Sequence, residues 1–297
     1  MATCRTSRRI AGTLLLSAFL VGPSGPANAK SICAPSPFQQ IKPLVIAHAS
    51  GTYFGPGNTV EMMRAAVKAG ADVIDVDVRL TADGVLVAAH DDAISSDSIG
   101  GSSGKRAVSE STYADLLQVD LGDSWAGPKR NFPLRGKKVR IPTVEQVLTA
   151  FPNRLTSLEF KVTGGEASMC TLLRRLNRTR TVYVGSAGDA PVDTFKPLCP
   201  EVVTTVTDAM VIDMQAARND PNSTWCAPVP IGQPPYRVAR STEEFVRWNH
   251  EHGLAVFTWT IDDTATLKTL ANVGVDAVYT NRADLARKAF DRKTAKR

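Results

Sequence analysis

Short apolar runs alternate with segments of helical period along most of this chain, and few architectures accept that rhythm. "PLVIAH" reads as a strand, and "TVEMMRAAVKAG", Thr59 to Gly70, as a helix with a Thr cap, a Glu in its first turn and a Gly at its end. "VIDVDV", "TVEQVLTAF", "LTSLEFKV", "EASMCTLLRRLNR" and "TVYVGS" continue the alternation, and "EVVTTV" carries it less clearly. It returns sharply in "STEEFVRWNHEHG", "LAVFTWTI", "TATLKTLANVG", "DAVYTN" and "ADLARKAF". A helix between successive strands forces them parallel, so the reading is an α/β fold with a parallel sheet. With 297 residues, 43% of them hydrophobic, the chain has the length for an eight-fold barrel and a sizeable core. A doubly wound sheet is the runner-up, and no glycine-rich nucleotide loop supports it. Two stretches break the rhythm. Asp92 to Arg140 is a long excursion rich in Gly, Ser and Lys, and Asn219 to Arg240 is an irregular loop holding Pro221, Pro228, Pro230, Pro234 and Pro235.

The first residues read as an address. Arg5, Arg8 and Arg9 precede the apolar run "AGTLLLSAFLV", too short to span a bilayer, and Ala27-Asn28-Ala29 has the small-residue cleavage pattern. The expectation is a signal peptide over residues 1–29 and one exported domain over 30–297, periplasmic or secreted. Arg8-Arg9 permits a twin-arginine route, and the general secretory route fits equally well. After cleavage Cys33, Cys170, Cys199 and Cys226 remain, an even number in an oxidising compartment. Their spacing matches no zinc pattern; it allows two disulfides in any of three pairings, or buried free thiols. The net charge of +6 makes a surface that favours phosphate-bearing ligands or a transient contact with anionic membranes. The basic residues are scattered rather than blocked, which speaks against nucleic acid.

The stretch "VIDVDVRLTADGVLVAAHDD", Val73 to Asp92, looks like two strands around a tight turn, and it carries acids that packing does not require. Alternate side chains of a strand share a face, so Asp75 and Asp77 lie side by side opposite Ile74, Val76 and Val78. Two such carboxylates repel unless a cation or a proton intervenes. In a barrel, chemistry gathers at the C-terminal ends of the strands. His48 closes the first strand, Asp75 and Asp77 lie in the next, and Glu159 and Lys161 share one face of "SLEFKV". Asp75, Asp77 and Glu159 form an all-oxygen set suited to Ca²⁺ or Mg²⁺. The structural alternative pairs these carboxylates with Arg79 and Lys161 as salt bridges. His250 and His252, in the polar helix "FVRWNHEHG", read as surface residues.

"IAHASGTYFGPGNTVEMMRAAVKAGADVIDVDVRLTADGVLVAAHD" resembles the signature of the glycerophosphodiester phosphodiesterase family. The likeness continues in the family's order through "IPTVEQVL", "SLEFK", "FTWTIDD" and "GVDAVYTNRADL", from about Ile41 to Leu285. The resemblance implies a (β/α)8 barrel of the triosephosphate-isomerase (TIM) type, with the Asp92 to Arg140 excursion as a cap-like insertion after the second barrel strand. It also implies divalent-metal-dependent cleavage of glycerophosphodiesters to glycerol 3-phosphate and an alcohol. Residue by residue, His48 and His90 match the family's acid and base histidines, and Asp75, Asp77 and Glu159 its metal ligands, with Asp75 one methylene shorter than the usual Glu. Lys161 matches its nearby cation and Trp259 its late tryptophan, a wall of the substrate pocket or a core aromatic. The family's His-Arg is His48-Ala49 here and its Pro-Glu-Asn-Thr is Pro56-Gly57-Asn58-Thr59, so an arginine for phosphate and a carboxylate are missing. Arg79 shares the parity of Asp77 and is a candidate substitute. Two alternatives stay open: a phospholipase D-like enzyme acting on lysophospholipid in the same barrel, and a non-catalytic phosphate-binding barrel.

Overall fold

The computed structural model of the protein describes residues 33–96, 104–236 and 242–291. The expected signal peptide lies outside them. Eight parallel strands run around a nearly closed barrel: β1 (Leu44–Ala47), β2 (Val73–Leu80), β6 (Thr156–Phe160), β7 (Val182–Ser186), β8 (Val203–Thr204), β9 (Ile231–Gly232), β10 (Ala255–Thr258) and β11 (Ala277–Thr280). Their spatial order is β8-β7-β6-β2-β1-β11-β10-β9. A parallel bridge from Thr205 to Ile231 joins its two ends. The first strand pairs with the last, Leu44 opposite Ala277 and Ala47 opposite Thr280.

Helices fill the crossovers. They are α1 (Val60–Lys68), α4 (Val144–Ala150), α5 (Glu166–Arg175), α6 (Asp189–Leu198), α7 (Asp208–Asn219), α8 (Glu243–Glu251), α9 (Thr264–Val273) and α10 (Ala283–Asp291). Their ends follow local chemistry. Thr143 and Gln146 form a reciprocal capping box at the start of α4. Thr59 occupies the N-cap position of α1 with an extended backbone, but its hydroxyl donates to the Pro56 carbonyl instead of capping the helix. Among the described residues, no helix is long and apolar enough to cross a membrane.

Strand parity sorts the core into layers. Ile74, Val76, Val78, Leu158 and Phe160 face outward and pack against α4 and α5 residues such as Val147 and Met169. Ile46, Tyr183, Phe257, Ala277 and Tyr279 fill the interior. Phe38 sits edge-on against Tyr183 and Phe257, in the segment that leads into β1. That segment is fastened by a Cys33–Cys226 disulfide and by Gln40 N–H, which donates to Asp276 Oδ1 at 2.7 Å. A second disulfide joins Cys170 of α5 to Cys199. Of the three pairings open to the sequence, this is the one the fold adopts.

The strand pair expected around a tight turn is present: β3 (Leu86–Ala88) runs antiparallel to the end of β2, with Val78 opposite Ala88. The excursion that follows holds a two-stranded sheet of β4 (Ala93–Ser96) and β5 (Gly104–Ala107) and two single-turn helices, α2 (Tyr113–Leu116) and α3 (Leu121–Ser124). It closes over a small core of Val87, Ile94, Val108, Leu116, Val119 and Ile141.

One expectation fails. His252 is not a surface residue: it is buried and stacks on Trp248 at 3.9 Å between ring centroids, whereas His250 is half-buried. His250 Nε2 lies 2.8 Å from the carboxylate of Asp276, which is fully buried. The polar look of "FVRWNHEHG" misleads because the end of α8 turns under the barrel, where both rings find partners.

Candidate active site

A strained turn sets the site. After β1 the chain passes through Ala49 at φ 43° and Ser50 at φ 64°, a left-handed region that side chains avoid. Hydrogen bonds hold it there: Ala49 N–H donates to Asp75 Oδ2 at 3.1 Å, Ser50 Oγ to the Asp75 carbonyl at 2.7 Å, and Asn58 N–H to the Ala49 carbonyl at 2.8 Å. The turn thereby fixes His48 beside the acidic strand.

The carboxylates converge by register. Asp75 stands opposite Ser157 and Asp77 opposite Glu159 on the neighbouring parallel strand. Asp75 and Asp77 are both buried. Asn58 orients Asp77 by donating from Nδ2 to Oδ2 at 2.7 Å and accepting from its backbone N–H at 3.0 Å. Lys161 Nζ lies 3.0 Å from Asp77 and 2.8 Å from Glu159. Burial pulls the Lys161 pKa down, but these two carboxylates outweigh it and hold the ammonium above its usual range. Asp75 has no such cation. Burial first, then Asp77 and Glu159, push its carboxyl well above the usual value.

The donor types are those of a hard divalent cation, while in this structure Lys161 bridges Asp77 and Glu159. Asp75 Oδ1 is buried without a hydrogen-bond partner, as expected of an oxygen kept for a metal bond. All three candidate groups are carboxylates, the ligand type of Ca²⁺ and Mg²⁺. Among the described residues the compact trio of potential metal ligands is instead Cys170, Cys199 and Glu201, and the disulfide takes both thiols out of play.

His48 and His90 meet at one cavity of about 470 Å³, whose wall also includes Ala49, Gly57, Ile94, Leu121 and Trp125. His48 Nδ1 lies 3.2 Å from Asn281 Oδ1, and His90 Nδ1 lies 2.9 Å from Asp91 Oδ1. Trp125, from the excursion, also borders a second hollow of about 330 Å³ with Tyr53. Arg79 Nε donates to the His90 carbonyl at 2.9 Å, so this candidate for a phosphate contact supports the turn that carries His90. Trp259 is 43% exposed and its indole donates to the Gln233 carbonyl at 2.8 Å, which removes the core reading. Sequence reasoning passed over Asn58, Asn281 and Asp262. All three lie inside the quoted motifs, but an amide has no charge to mark it, and Asp262 reads equally well as a turn residue.

Residues 48–285 match the model of the glycerophosphoryl diester phosphodiesterase family. The chain belongs to that family. A glycerophosphodiester phosphodiesterase of Bacillus subtilis is 25% identical over 292 residues, covering 93% of this chain and 94% of the relative. Two solved structures share the fold. The glycerophosphodiester phosphodiesterase of Agrobacterium tumefaciens has a TM-score of 0.67 at 20% identity, covering 83% of this chain and 99% of that one. An Oleispira antarctica phosphodiesterase in complex with the product sn-glycerol-3-phosphate has a TM-score of 0.64 at 20% identity, with 84% and 97% covered. Family membership makes this barrel a glycerophosphodiester phosphodiesterase.

Proposed function

We propose that the protein is an exported, divalent-cation-dependent hydrolase that cleaves glycerophosphodiesters to sn-glycerol 3-phosphate and an alcohol, with His48 and His90 moving the protons. The observation that carries this reading is the meeting of the two histidines at one cavity, beside the turn whose Ala49 N–H is bonded to Asp75. Asp75, Asp77 and Glu159 would hold a Ca²⁺ or Mg²⁺ ion, which draws charge from the phosphoryl oxygens. Lys161 adds positive charge as the phosphoryl group becomes more negative in the transition state. One histidine takes the proton of the attacking hydroxyl, the glycerol OH next to the phosphate, and the other protonates the leaving oxygen as the P–O bond to the alcohol breaks; water then opens the cyclic phosphate to glycerol 3-phosphate. Trp259, exposed at the rim, and Arg79, behind His90, are candidates for lining the substrate site.

Two disulfides favour an oxidising compartment and hence export after cleavage near Ala29. The domain would span residues 30–297, with 92–140 as a cap over the rim. A second reading, a phospholipase D-like action on lysophospholipid, is favoured by the apolar side chains of Ile94, Leu121 and Trp125 and by the adjoining hollow. Both readings are tested by assaying purified protein on glycerophosphocholine and lysophosphatidylcholine, with and without chelator. Chelator-sensitive turnover of the first supports the main reading, preference for the second supports the alternative, and no turnover of either overturns both.

A further inference from the structure

His48 is held by a chain of hydrogen bonds that starts at the far end of the sequence. Asp262 Oδ2 accepts from Asn281 Nδ2 at 2.8 Å, and its Oδ1 accepts from Asn281 backbone N–H at 2.7 Å and from Thr280 Oγ1 at 3.0 Å. Asn281 Oδ1 in turn accepts from Thr52 Oγ1 at 2.7 Å and faces His48 Nδ1 at 3.2 Å. The direction of each bond is set by chemistry. An ionised carboxylate only accepts, so the Asn281 amino group must face Asp262 and its oxygen must face His48. An amide oxygen also only accepts, so Nδ1 of His48 must carry the hydrogen. Neutral imidazole has one N–H, which leaves the lone pair on Nε2. Turning the amide over would set its oxygen against the Asp262 carboxylate and its amino group against the ring.

We propose that Asp262 and Asn281 are positioning residues that hold His48 with Nδ1 protonated, so that Nε2 is the proton acceptor of the reaction. The inference deepens the proposed function and rests on it for the identity of the proton donor. As the substrate oxygen bonds to phosphorus, its proton passes to Nε2 and the ring becomes imidazolium. The Nδ1–H bond to Asn281 is the same before and after, so the ring takes up the proton without turning. His90 has a weaker constraint: its Nδ1 faces the carboxylate of its sequence neighbour Asp91, and both side chains are largely exposed. That leaves His90 for the leaving oxygen.

The test separates this inference from the function it rests on. The chain contains four histidines, so ¹⁵N-labelled histidine in the full-length protein gives few signals, and His48→Gln assigns one of them. Above the titration of the ring, wild-type His48 is expected to show a protonated Nδ1 and an unprotonated Nε2. Asn281→Leu and Asp262→Asn are expected to release that tautomer and to lower kcat by about 10- to 100-fold, the scale of a misplaced reacting group, with KM changed by less than about threefold. A wild-type His48 protonated at Nε2 would overturn the proposal. So would unchanged tautomer and kcat in Asn281→Leu or, if that variant fails to fold by circular dichroism, in Asp262→Asn. Because the spectrum needs no turnover, an inactive wild type with the expected tautomer would sink the proposed function and leave the positioning intact.

Discussion

Gly57 and Ala49 occupy each other's space: a Cβ on Gly57 would stand 3.0 Å from the Ala49 carbonyl oxygen and 3.6 Å from the Ala49 Cβ. The two departures from the family pattern therefore meet in the fold, at the turn that seats His48. Restoring Arg at 49 adds a fork for two phosphate oxygens, which the point charge of Lys161 does not replace. Ala49→Arg should lower KM for glycerophosphocholine by roughly tenfold, or ~1.4 kcal/mol. Gly57→Glu crowds a backbone oxygen and should cost about 1–3 kcal/mol of stability, read as a lower Tm. An unchanged KM in both Ala49→Arg and the double variant would show that the lost arginine contributed nothing here.

The buried carboxylates make a pH-dependent prediction. Burial, with help from Asp77 and Glu159, raises the Asp75 pKa in the fold above its usual 3.8. A raised pKa means that ionising this group costs folding free energy. Its contribution is fully present below pH 3.8 and is lost as pH rises toward the raised value. In chelator, Asp75→Asn should therefore raise Tm at pH 8, with the gain shrinking as pH falls. Calcium or magnesium should reverse the order, since a cation at ~100 times its Kd adds about 2.7 kcal/mol to the wild type. A lower Tm for Asp75→Asn in chelator at pH 8 would contradict the electrostatic account.

Metal and turnover should fail together in Glu159→Gln. The substitution removes one negative charge from the oxygen set and leaves Lys161 with Asp77 alone. Titration calorimetry should show weaker cation binding, and added cation should recover part of the lost kcat. Full activity of the wild type in excess chelator would end the metal assignment.

The two histidines should separate by leaving group. An aryl phosphodiester releases a stable phenolate and needs no acid, so His90→Ala should lose at least ~10²-fold on glycerophosphocholine and much less on the aryl substrate. His48→Ala should lose comparably on both. Equal small losses in both variants would remove the histidines from proton transfer.

Removing the disulfides should cost unequal amounts. Loop closure over a separation of 29 residues for Cys170–Cys199 corresponds to about 3.6 kcal/mol, and over 193 residues for Cys33–Cys226 to about 5 kcal/mol. Paired Cys→Ser variants should show the larger drop in denaturation midpoint for the longer loop. The reverse order would place the stabilisation in local packing, as around the Cys170 and Cys199 side chains, rather than in chain entropy.

The barrel was legible because its strands alternate with amphipathic helices, yet one strand was not. Ile231 and Gly232 form β9 inside the proline-rich loop, and two residues are too short a run for any periodicity to register. Helix α6 was hidden in the same way, because Pro191 and Pro197 lie within it and argue locally against a helix. At the site, charge made Asp75, Asp77, Glu159 and Lys161 visible. Asn281 was invisible because its meaning depends on Asp262 and His48, which sequence distance separates and only the closed barrel brings together.

Because β1 lies beside β11, the earliest strand of the barrel waits for the latest. A ribosome that has made everything through residue 276 has supplied His48, His90 and all three carboxylates, but neither the second of the strands that flank β1 nor the amide that faces His48. No fragment that stops before β11 and Asn281 can hold a finished site. The reactive centre therefore waits for almost the last strand-forming residues to be made, a delay written into the order of the strands.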